Sequence, residues 1–127
     1  MTRCGRRARR GRRGLALLAA GVALGTAGCG ALPPEAPVPA AGLISRSLTT
    51  IAASCGESYR LQEFTPHPDL SGLEATASQS ARKLEAIRAR HPQWVYQGET
   101  LTQIAGTSVQ DLDACALPGA ARVLQAS

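Results

Sequence analysis

The sequence predicts an all-α fold, an up-down-up three-helix bundle stapled by a disulfide. Apolar residues recur at helical spacing in three segments, prolines interrupt the chain between those segments, and Cys55 and Cys115 fall where the first and third helices can meet. The first helix is read from Ala41 to about Glu63. Ile44, Leu48, Ile51, Ala52, Cys55 and Tyr59 share one stripe of it, and Pro66 and Pro68 prevent its continuation. Ser71-Gly72-Leu73-Glu74 matches a capping box for the second helix, with Leu70 as its hydrophobic staple and Asp69 as an alternative cap. Its inward face carries Leu73, Ala77, Ser80 or Ala81, Leu84 and Ile87, light enough for neighbours to approach closely. Pro92 suits a first helical position, so the third helix is read from Pro92 to Cys115. Trp94, Gly98, Leu101, Ala105, Ser108, Leu112 and Cys115 form a heptad-like seam along it, flanked by Val95, Ile104 and Val109, with Gln103 on the outer face. The three-helix domain spans residues 41–117, and residues 118–127 read as a flexible tail.

Residues 1–28 have a different character. A charged stretch through Gly14 precedes an apolar run from Leu15 to Ala27 and the small residues Ala27 and Gly28, which lead to Cys29. The run holds 13 residues, short of the ~20 that cross a bilayer core. Thr26-Ala27-Gly28-Cys29 resembles the lipobox of a bacterial lipoprotein signal, although Thr26 stands where that pattern usually has leucine. The resemblance implies that the leader is cleaved before Cys29, and that Cys29 is acylated and anchors an extracytoplasmic protein to the cell membrane. Arg12-Arg13-Gly14-Leu15 is weakly similar to a twin-arginine export signal, without its flanking residues. Residues 29–40 hold Pro33, Pro34, Pro37 and Pro39 and read as a stiff spacer; Pro34 and Pro37 also stand in a PxxP pattern.

The net charge of +5 divides unevenly. Seven of the 14 basic residues precede Cys29 and all nine acidic residues follow it, so the remainder carries a formal −2 and no basic patch suited to nucleic acid. A small domain has a thin core and needs a staple. Cys55 and Cys115 are an even pair expected in an oxidising compartment, which favours a disulfide. The rival is a metal site with His67 and His91, but these four residues stand as singletons without the close spacing of zinc ligands.

Catalytic signals are weak. Ser80-Ala81-Arg82-Lys83 matches the S-x-x-K of penicillin-binding enzymes, whose companion motifs S-D-N and K-T-G are missing. Asp111 and Asp113 are two residues apart and diverge on a helix. Trp94 and Tyr96 read either as closing a small core or as a peptide-binding or membrane-touching surface. Ile51-Ala52-Ala53-Ser54-Cys55-Gly56-Glu57-Ser58-Tyr59 and Trp94-Val95-Tyr96-Gln97-Gly98-Glu99-Thr100 resemble stretches of small helical lipoproteins of actinobacteria, a resemblance that carries no activity and no functional residue. The expected role is a non-enzymatic interaction or structural module of the envelope, without cofactor or metal, partnered by the membrane and an envelope protein. The alternative is a binding protein for a small apolar or peptide ligand, given room by Ala77, Ser80, Gly98 and Ala105.

Overall fold

Four helices and one short hairpin make up the described part of the chain, residues 32–125 of a computed structural model. In order they are α1 (Val38–Phe64), α2 (Ser71–Arg90), β1 (Val95–Tyr96), β2 (Glu99–Thr100), α3 (Leu101–Ala114) and α4 (Pro118–Gln125). All belong to the unit that begins at Pro34. The mainly helical class and the Cys55–Cys115 disulfide agree with the sequence reading. The three-helix count does not, and each departure has a local cause.

The proline-rich spacer is in part structured. Ala36 N donates to Val95 O and Val95 N donates to Pro34 O, both at 2.9 Å, so the segment before α1 lies parallel to β1. Prolines permit this because only the Pro34 carbonyl and the Ala36 N–H are needed. Pro37 then takes the N-cap position and Pro39 falls in the first turn, where missing N–H groups cost nothing. The helix therefore starts at Val38, ahead of Ala41.

The buried side of α1 is Ile44, Ser47, Ile51, Ser54, Cys55 and Ser58, a stripe in which serines alternate with larger residues. α1 packs mainly against α2, whose buried residues are Ala77, Ser80, Ala81 and Leu84. Small side chains on both helices let the pair approach closely. Leu73 and Ile87 are only half-buried. At the start of α2 the predicted capping box does not form. Leu70 is the N-cap without a side-chain bond, while the Asp69 carboxylate accepts from Ser71 N at 3.0 Å.

The third helix begins at Leu101, nine residues after Pro92, because Gln97 (φ 51°) and Gly98 (φ 83°) both adopt left-handed conformations. Two such residues make the tight turn of a hairpin, pairing Val95 with Thr100 and Tyr96 with Glu99. Thr100 and Gln103 then form a reciprocal capping box: Gln103 N donates to Thr100 Oγ1 at 3.2 Å and Thr100 N donates to Gln103 Oε1 at 2.8 Å. Gln103 is exposed as predicted, yet it holds the helix start. Trp94 and Gly98 thus leave the predicted seam, and the rest of it (Leu101, Ala105, Ser108, Leu112 and Cys115) is buried.

α3 ends in a Schellman motif. Leu117 N donates to Leu112 O at 2.9 Å and Ala116 N to Asp113 O at 3.2 Å, with Ala116 at φ 64° where glycine is usual. Leu112 and Leu117 are both fully buried.

The tail predicted after Leu117 is instead α4, which starts at Pro118 and buries Ala120, Ala121 and Leu124 against α2 and α3. Its N-terminus is capped from a distance, since Ala120 N donates to Glu74 Oε2 at 2.8 Å. Glu74 therefore serves α4 and not its own helix. Gly119 makes room for this: a Cβ there would stand 2.7 Å from Glu74 Oε2.

Candidate functional site

α1 and α3 are tied together at two places. At one end the Cys55–Cys115 disulfide brings the two Cα atoms to 5.3 Å. Beside it, Ser58 Oγ donates to Cys115 O at 2.5 Å and Gln62 Nε2 donates to Ser58 Oγ at 2.9 Å. At the other end the backbone preceding α1 is bonded to Val95, and Leu101 N at the start of α3 donates to Trp94 O at 2.9 Å. Along this side α1 presents the small exposed residues Ala52, ahead of the disulfide, and Gly56, just past it. The result is an open groove of about 590 Å³, within the ~300–1,000 Å³ of ligand sites.

The groove has an apolar middle and polar ends. Leu48, Ile51, Cys55 and Ile104 supply apolar surface. At the hairpin end stand Tyr96, Gln97 and Glu99, and toward the disulfide end Tyr59 and Asp111, with Thr107 and Ser108 along the α3 wall. Tyr59 is 53% exposed. Among the described residues no lysine, arginine or histidine lines the groove. Arg60, one residue past Tyr59, is bound to Glu57, and that hydrogen bond, with the attraction of opposite charges, lowers the Glu57 pKa and raises that of Arg60. Arg88 is likewise held by Glu85 on α2 at 2.6 Å, which raises its pKa.

The sequence-predicted residues are distributed unevenly over this geometry. Cys55 and Cys115 are joined, and Cys55 forms part of the groove. Cys29 and the whole leader lie outside the described residues. Ala77, Ser80 and Ala105, thought to leave room for a ligand, are buried in contacts, and Gly98 sits in an exposed turn; none of the four lines the groove. Ser80 is buried and Lys83 exposed, an arrangement unsuited to a nucleophile and its base. His67 lies exposed in the α1–α2 connection, whereas the His91 ring stacks on Trp94 with centroids 3.7 Å apart. Among the described residues no cluster of three metal-ligating side chains occurs, and no helix is long and apolar enough to cross a membrane. Asp113 is exposed outside the groove. Glu99, Thr107 and Asp111 are not legible as partners from sequence alone, although Gln97-Gly98 directly after the β-forming Val95 and Tyr96 signals the hairpin that places Tyr96 and Glu99.

Comparison with protein families, with curated proteins and with solved structures finds no match.

Proposed function

We propose that this chain is an extracytoplasmic lipoprotein, anchored through acylated Cys29, whose folded domain is a non-enzymatic binding module. The groove between α1 and α3 carries the reading. It starts at the hairpin tie, runs past the disulfide to Tyr59, and combines apolar surface with aromatic and polar side chains, the composition of recognition sites. The leader supports the anchoring half through its charged start, its short apolar run and Ala27-Gly28-Cys29.

Two experiments test the two halves separately. Cys29→Ser should release the protein from the membrane fraction; an uncleaved variant retained there at wild-type levels removes the lipoprotein reading. For the groove, a photo-crosslinking residue is placed at Ala52, at Thr107 or, as a control, at exposed Lys83 on α2. The same adduct should form in cells at both groove positions and be missing at Lys83. Adducts of equal yield at all three positions, or none at Ala52 and Thr107, remove the binding reading.

A further inference from the structure

Resting on that reading of the groove, we infer that its occupant is an amphipathic helical segment of a partner protein, with an apolar stripe flanked at each end by a basic residue. The walls dictate the shape. The groove follows α1 from Leu48 to Tyr59, eleven residues or roughly 16 Å at the helical rise. An inserted helix uses i, i+3 or i+4, and i+7 side chains as anchors, and three turns of it match this length.

The charges dictate the ends. Two carboxylates line the groove, Glu99 opposite Tyr96 in the hairpin and Asp111 one turn before Cys115 on α3. Glu99 precedes α3 by two residues and Asp111 follows Leu101 by ten, which is roughly 15 Å of helical rise between the backbone at the start of α3 and that at Asp111. Lysine or arginine suits each of them, because its stem covers apolar surface while its head meets a carboxylate. Among the described residues of the lining no cationic side chain faces the two carboxylates, which suits them to a cationic ligand. A compact organic cation reaches only one of the two ends, and an anionic lipid headgroup meets like charge at both.

The test uses the full chain with its disulfide intact and fluorescein-labelled helical peptides of about eleven residues. One peptide carries leucines on one face and lysine at each end; its counterpart carries glutamine at the ends. By fluorescence anisotropy at low salt the lysine peptide should bind roughly 3- to 10-fold more tightly, as two exposed charge pairs allow. That advantage should vanish at high salt and in Glu99→Gln/Asp111→Asn, a variant confined to exposed positions, while binding of the glutamine peptide is unchanged. Equal affinity for the two peptides, abolished for both by Ala52→Trp, overturns the basic-ended ligand and leaves the groove a binding site. Binding of dodecyltrimethylammonium with neither peptide bound overturns the helical partner in favour of a compact cation. Failure of all three probes overturns the peptide inference, while the crosslinking at Ala52 and Thr107 decides separately whether the groove binds anything.

Discussion

Toward α2 the long helix α1 closes a core with serines and alanines, whereas toward α3 it leaves a groove bordered by a hairpin and a disulfide. The composition of the two sides is not very different, since both are rich in small residues. What differs is whether a facing element can come close enough to use them. α2 runs back from the α1–α2 turn free to settle against α1, and α4 docks on α2 and α3. α3 has its spacing from α1 set at the hairpin and the disulfide, so the small residues beside them become empty space instead of close contact. Small side chains thus make either a tight interface or a cavity, and the covalent and hairpin ties select which.

The contrast can be broken most severely at the disulfide. Replacing both Cys55 and Cys115 with serine should lower the unfolding free energy by about 4 kcal/mol, the loop-closure value for a sequence separation of 60, and a denaturant melt measures it. A loss below ~1 kcal/mol would mean that the α3 side holds itself without the bridge.

The next effect separates the two sides. Leu84→Ala on α2, where the leucine is fully buried, should cost about 2–5 kcal/mol. Leu48→Ala, at a half-buried groove position, should cost roughly 1 kcal/mol or less, since its side chain already borders open space. Equal costs in thermal melts would show that the groove is closed in solution.

The long-range cap sharpens the account of the closed side. Glu74→Ala leaves the α4 N-terminus without its carboxylate and should cost ~1–2 kcal/mol. Gly119→Ala should produce a loss of the same order with Glu74 kept, because the new methyl would stand 2.7 Å from Glu74 Oε2 and push the carboxylate off Ala120 N. If both melt like the parent, α4 is docked by Leu124 and its neighbours alone. Ala116→Gly works in the opposite direction. The left-handed conformation at this Schellman position is strained for alanine, and glycine should stabilise the domain by ~0.5–1 kcal/mol.

The smallest effect is a pH dependence. The Asp69 carboxylate, bonded to Ser71 N, has its pKa lowered by that backbone hydrogen bond. A lowered folded-state pKa means a contribution that is complete above the unfolded carboxylate value near ~3.9 and lost as pH falls through the folded value. Asp69→Asn should therefore narrow the difference between melts at neutral and strongly acidic pH. An unchanged difference would show that this turn contributes nothing to acid sensitivity.

Much of the closed side was legible. Proline breaks and the stripes of Leu84, Leu101 and Leu112 located two helices and their buried faces. The stripe of α1 was read from its apolar members, which set it partly toward Ala52 and Tyr59; the buried line runs through Ser47, Ser54 and Ser58. Serine reads as polar, yet it is small enough for a close helix contact, so hydrophobic patterning misplaced the core face by part of a turn. The sequence carries two further signals: Gln97-Gly98 with Thr100-x-x-Gln103 for the hairpin and helix start, and Leu117, Ala120, Ala121 and Leu124 for α4.

Short-range chemistry determined the helical class, the break between α1 and α2 and the cysteine partner from sequence, because periodicity and proline geometry act within one element and an even pair of thiols leaves one pairing. The groove, the capping of α4 by Glu74, and the placing of Glu99 and Asp111 on either side of an apolar gap came only from tertiary structure. Each depends on the distance between elements far apart in the chain. Local propensity does not encode that distance; it is set here by a disulfide, a hairpin and the volume of side chains meeting across an interface.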